Sequence, residues 1–94
     1  MTNEQFNSLS GKNIVIISAS WCAPCKVLAK TVHDLTQTHP EITKYIHKLD
    51  IDDCEELVSR FSVMSVPTTL YIKDSLVEKK VGLQSKEDLC DWFK

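Results

Sequence analysis

Two cysteines three residues apart, Cys22 and Cys25, follow the apolar run Ile14-Val15-Ile16-Ile17 and open a segment with helical periodicity. No other stretch constrains the chain as strongly. A continuous apolar run of this length fits a strand buried on both faces of a parallel sheet. Leu28, Val32 and Leu35 recur at intervals of four and three, and Val27 and Thr31 extend the stripe. That spacing predicts a helix over 24–38. A Cys-x-x-Cys at a strand-to-helix junction of an intracellular-looking chain reads as a redox motif.

The chemistry explains the spacing. The thiolate, not the thiol, is the nucleophile. A sulfur at the start of a helix lies among unpaired backbone N–H groups and the positive end of the dipole, which favours the anion. Cys25 falls one turn later on the same side, close enough to bridge with a small backbone adjustment. Pro24 has no N–H, which costs nothing in a first turn, and its fixed φ stiffens the loop. Trp21 is expected to wall the site, and Lys26 to supply a nearby positive charge. The competing reading is half of a structural zinc site, which needs a second close Cys or His pair. Cys54 and Cys90 are isolated, and His33, His39 and His47 make no ligand pattern with them.

The chain of 94 residues fits one small domain over 1–94. A net charge of −2 gives no electrostatic case for nucleic acid or an anionic membrane. No apolar stretch approaches the roughly 20 residues that span a bilayer. The N-terminus lacks the basic and apolar regions of a signal peptide. A cytoplasmic location follows as the expectation, and there four cysteines favour catalysis over stapling.

The remaining elements are read from local signals. Thr2 and Gln5 fit a capping box before a short helix with Phe6 and Leu9 inward, ended by Gly11. Strands are predicted over 13–18 and 45–50, parallel, with His39-Pro40 as the loop between helix and second strand. Asp52 or Asp53 is expected to cap a helix over 54–61, with Leu57, Val58 and Phe61 apolar. An antiparallel pair over 68–73 and 76–81 turns at Asp74-Ser75. Ser85 caps a last helix that packs Leu89, Trp92 and Phe93 on the sheet. The His side chains are read as solvated, and Cys90 as a core or surface thiol. Cys54 is either a plain helix-start residue or a regulatory thiol.

The hexapeptide Trp21-Cys22-Ala23-Pro24-Cys25-Lys26 resembles the thioredoxin active site, with Ala23 where that family usually has Gly. The resemblance runs over nearly the whole chain. It implies an α/β thioredoxin fold: a four-stranded mixed sheet flanked by helices, without the family's usual N-terminal strand. It implies a protein-disulfide reductase in which Cys22 attacks a partner disulfide and Cys25 resolves the mixed disulfide, leaving a Cys22–Cys25 bridge. No bound cofactor or metal is expected, since the two thiols carry the electrons. The implied partners are protein disulfide substrates and thioredoxin reductase or an equivalent, and the implied state is a monomer. Ribonucleotide reductase, peroxiredoxins and methionine sulfoxide reductases are substrates of the kind the family suggests.

The resemblance also implies that Val66–Pro67 is cis and that its backbone receives an extended substrate, the alternative being a trans Pro that starts a strand. Gly82 would let a partner's backbone approach, or is a plain turn. Trp21, Ala23, Val66 and Gly82 would form an apolar patch around Cys22. The chain departs from the family in two further places. Ile16 stands where many thioredoxins bury an Asp beneath the second Cys. Lys48 matches that Asp's Lys partner, so it either reaches water, pairs with Asp50 or is a simple exposed residue; water or Lys48 would then deprotonate Cys25. Ser18 replaces a frequent Trp. Two other functions remain open: an oxidant, isomerase or glutaredoxin-like enzyme, and a docking module with incidental thiols.

Overall fold

Strand β1 (Lys12–Ser18) is central because its apolar run leaves no face for water: Asn13 to Ile17 are all buried. The structure, a computed structural model that describes all of residues 1–94, places β1 between β2 (Ile46–Asp50) and β3 (Thr68–Lys73). Strand β4 (Leu76–Val81) completes a four-stranded sheet of order β2-β1-β3-β4. β1 and β2 are parallel, and the other pairs are antiparallel. The parallel pair needs a crossover, which is helix α2 (Ala23–Thr38).

Alternation along β1 and β3 separates two cores. Val15, Ile17, Leu70 and Ile72 face one way and pack with Phe6 of α1 (Asn3–Asn7) and Leu57 of a later helix, Glu55–Arg60. Ile14, Ile16 and Tyr71 face the other way, against Leu28, Val32 and Leu35 of α2 and Leu89 of the last helix, Lys86–Trp92. The result is a helix–sheet–helix sandwich with Cys22 at the C-terminal end of β1. No helix is long and apolar enough to cross a membrane.

Local chemistry moved several boundaries away from the sequence reading. Helix α1 ends at Asn7, before Gly11, because the Ser8 hydroxyl donates to the Gln5 carbonyl at 2.6 Å and closes the last turn. Gly11 instead takes φ +72°, and its N–H donates to Asp74 Oδ1 at 2.8 Å, tying β1 to the β3–β4 turn. Pro40 opens a one-turn helix, α3 (Pro40–Thr43), because Pro is preorganised for a first helical position. Neither Asp52 nor Asp53 caps the helix Glu55–Arg60, which is α4 and has Cys54 at its N-cap without a side-chain bond. Asp50 does the capping one turn earlier, accepting the Asp52 N–H at 2.8 Å and starting a 3-10 turn over Ile51–Asp53.

The last helix, α5 (Lys86–Trp92), carries a reciprocal capping box between Ser85 and Asp88. Its Trp92 indole donates to the carbonyls of Asn13 and Ile72 at 3.1 and 3.0 Å, fixing the helix to the sheet. Ser85→Ala is expected to cost about 1 kcal/mol. For a domain of this size that lowers Tm by roughly 4–8 °C. Thermal unfolding followed by circular dichroism checks it; an unchanged Tm would mean that Leu89 and Trp92 alone hold α5.

His47 is half-buried, not solvated. The Asn13 amide is oriented by its Nδ2 donating to the Ser10 carbonyl at 2.9 Å, so its Oδ1 faces His47 Nε2 at 3.2 Å and His47 must be the donor there. Burial lowers the His47 pKa below the usual 6.5. The unfolded chain therefore binds the extra proton first. This group's contribution is intact above about pH 6.5 and is lost as pH falls toward the folded value. His47→Gln is expected to flatten the fall in stability between about pH 7 and 5, read from denaturant midpoints; an unchanged slope would assign that fall to other groups.

Candidate active site

Cys22 is the N-cap of α2, with extended backbone (φ −95°, ψ 115°) just before the first helical residue. Its sulfur accepts the Cys25 N–H at 3.2 Å, the bond an N-cap makes with an N3 donor. Pro24 occupies the first turn, where its missing N–H has no partner to lose. The Cα atoms of Cys22 and Cys25 are 5.2 Å apart and the two sulfurs are bonded. Both residues are buried with Ala19, and Ile51 and Val66 pack against them.

The loop before β3 delivers the second half of the site. The Val66–Pro67 peptide is cis, and the Val66 carbonyl oxygen lies 3.6 Å from Cys22 Sγ. In the disulfide that sulfur carries no hydrogen, so the contact is one of position. The Thr68 hydroxyl donates to the Ser65 carbonyl at 2.7 Å and the Gly82 N–H to the Pro67 carbonyl at 2.9 Å, which hold the loop from both sides. Gly82 has φ +94°, the conformation that requires a residue without Cβ. A Cβ there would meet nothing within 4 Å, so the space over Gly82 is open.

The side chains around the pair differ in what they contribute. Trp21, directly before Cys22, is 76% exposed. Ala23, Pro24 and Lys26 are exposed on the first turn of α2. Met64 is 93% exposed, two residues before Val66. No periodicity or motif marked it, because an exposed apolar residue in a loop has no sequence signature.

Ile16 is packed with Leu28 and Leu89 on the α2 side of the sheet. Lys48, its register partner on β2, is exposed and has no ion-pair partner. Of the alternatives for Lys48, the pair with Asp50 is absent: β2 is an edge strand, and the long side chain reaches water without a carboxylate. Cys54 is fully buried, and its thiol donates to the Asp50 carbonyl at 3.3 Å. Burial pushes that thiol up, the opposite of a reactive sulfur. Cys90 is half-buried, 3.9 Å from His39 Nδ1 at the far end of α2.

A dithiol that closes to a disulfide at the head of a helix, over a mixed sheet with a cis-Pro loop alongside, defines a thiol–disulfide oxidoreductase. A Thioredoxin family profile matches residues 1–94. The chain is 35% identical over 91 residues to thioredoxin of Bacillus subtilis, covering 94% of this chain and 86% of that one. It is 37% identical over 94 residues to thioredoxin of Staphylococcus aureus, covering 97% and 89%. The solved structure of Fasciola hepatica thioredoxin superposes with a TM-score of 0.71 at 30% identity, over 93% of this chain and 81% of that one. The chain belongs to the thioredoxin family. It reduces protein disulfides through the reversible Cys22–Cys25 couple and is recharged by a separate reductase.

Proposed function

We propose that Cys22 is the attacking thiol and Cys25 the resolving one. The observation that carries this is the N-cap position of Cys22: its sulfur already takes a first-turn N–H of α2, where an anion is stabilised. It also sits beside the Val66 carbonyl, where an extended substrate segment would align. In this reading Val66, Pro67 and Gly82 receive the substrate backbone, while Trp21, Ala23 and Met64 border it. Pro24 fixes the turn, Lys26 adds positive charge, and Lys48 stays in solvent. The two sulfurs carry the electrons without a bound cofactor.

The partners are folded or partly folded proteins with an accessible disulfide, and thioredoxin reductase or its equivalent. The protein acts as a monomer over 1–94. Its unpaired Cys54 and Cys90 fit a reducing compartment such as the cytoplasm. Insulin reduction followed by turbidity tests the reading, with dithiothreitol first and then NADPH with thioredoxin reductase as the electron source. Turnover with both supports it. Turnover with glutathione and glutathione reductase alone would point to a glutaredoxin-like enzyme and overturn the partner assignment.

A further inference from the structure

Resolution by Cys25 requires its thiol to lose a proton, since only the thiolate attacks. Cys25 is only 5% exposed, and Ala19, Ile51 and Val66 around it have no side-chain group to take that proton. One opening reaches it. A surface cleft of about 320 Å3 is shared by Cys25 with Ser18, Ser20, Lys26 and Asp50. That is room for several waters. The Ser18 hydroxyl donates to the Leu49 carbonyl at 3.4 Å, and an ammonium such as that of Lys26 has no lone pair to accept a proton. Asp50 is the one carboxylate on the cleft.

Its placement is built into the sheet. Asp50 pairs in register with Ser18, so it lies at the C-terminal ends of the two parallel strands, beside the start of α2. Asp50 Oδ1 is held by the Asp52 N–H at 2.8 Å, while its other oxygen has no protein hydrogen-bond or ion-pair partner. Ile16, two residues before Ser18 on β1, is apolar and offers no alternative.

We infer that Asp50 is the proton acceptor for Cys25, acting through water in this cleft; the inference rests on Cys25 being the resolving thiol. In the mixed disulfide, water takes the proton of Cys25 Sγ–H and passes one to the free oxygen of Asp50. The Cys25 thiolate then attacks Cys22 Sγ. The Cys22–Cys25 bond forms, the bond to the substrate sulfur breaks, and the substrate leaves as a thiolate that is protonated by solvent or by Asp50. The protein dithiol is oxidised and the substrate disulfide is reduced, with no other electron carrier. During recharging Cys25 leaves as a thiolate and takes a proton from solvent by way of the same cleft. Lys26 of α2 also lines the cleft, Ser18 and Ser20 are neutral, and Lys48, Asp52 and Asp53 on the flanks of Asp50 are exposed. Behind Asp50, the Cys54 thiol binds its backbone carbonyl.

Asp50→Asn separates the base from the cap, because Asn keeps an Oδ1 for the Asp52 N–H but cannot take a proton. The mixed disulfide of Cys22 with a peptide disulfide is formed at low pH, jumped to higher pH, acid-quenched and read by mass spectrometry. In the parent protein the resolution rate is expected to level off with pH, as a general base that stays ionised over that range would make it. In Asp50→Asn it is expected to be about tenfold slower at pH 7, below the usual general-base range because water intervenes, and to track hydroxide throughout. Formation of the mixed disulfide is expected to change less than about twofold, since it does not pass through Asp50. Equal rates and equal pH profiles in the two proteins overturn the inference. Should Asp50→Asn fail to fold, a parent profile that simply tracks hydroxide overturns it as well. A mixed disulfide that forms on Cys25, or not at all, overturns the thiol assignment and this inference together. One that forms on Cys22 and resolves without regard to Asp50 removes only the inference.

Discussion

Cys22→Ser is expected to abolish turnover of protein disulfides, by roughly a thousandfold or more, as loss of a covalent nucleophile does. A serine hydroxyl at this N-cap keeps the hydrogen bond to the Cys25 N–H but does not ionise at neutral pH, so no mixed disulfide forms. Cys25→Ser is expected to fail differently. The first attack proceeds, and the second sulfur that would cut the intermediate free is missing. Multiple turnover stops while a Cys22 mixed disulfide accumulates toward one substrate per protein. Insulin turbidity measures the first effect, and non-reducing electrophoresis with mass spectrometry the second. If Cys22→Ser accumulates the adduct while Cys25→Ser forms none, the roles are reversed. If both still reduce insulin, the Cys22–Cys25 couple is not the electron carrier.

Leu70→Ala is expected to be the most destabilising simple truncation. Leu70 is fully buried at the middle of β3, between Val15 of β1 and Lys79 of β4, and packs in the core with Ile17, Leu57 and Ile72. Replacing a buried Leu by Ala removes transfer energy and leaves a cavity, about 2–5 kcal/mol in total. A small domain has only about 5–15 kcal/mol to lose. At roughly 4–8 °C per kcal/mol, Tm should fall by at least about 8 °C. Leu76→Ala, at the exposed start of β4, is expected to stay within about 0.5 kcal/mol. Urea unfolding of the oxidised forms compares them. A cost below about 1 kcal/mol for Leu70→Ala would show that the α1–α4 side of the sheet collapses around the gap.

Much of the fold was legible because each element carries its own signal. The run Ile14 to Ile17 marks the central strand, the Leu28-Val32-Leu35 stripe marks α2, and Ser85 with Asp88 marks the head of α5. β3 and β4 have the boundaries their turn residues predict. The misplaced features depended on bonds that cross the chain or compete locally. Gly11 belongs to the β3–β4 turn through Asp74, sixty-three positions away, and not to the end of α1. Asp52 and Asp53 lie in a 3-10 turn that Asp50 caps at the end of β2, so α4 begins only after them, with Cys54 at its N-cap. His47 was read as solvated, and only the register of β2 against β1 brings it to Asn13.

By itself the sequence determined that a pair of sulfurs would sit where a buried strand passes into a helix, because strand burial, helical spacing and cysteine spacing are all local properties of one stretch. Tertiary structure alone decided what surrounds those sulfurs. Val66 comes to 3.6 Å from Cys22 across 44 positions of chain, Met64 is left in solvent, and Asp50 and Cys25 share one cleft. Those juxtapositions arise from the pairing of β1 with β2 and β3 and from the seating of α2 on the sheet, long-range contacts that no local pattern of residues encodes.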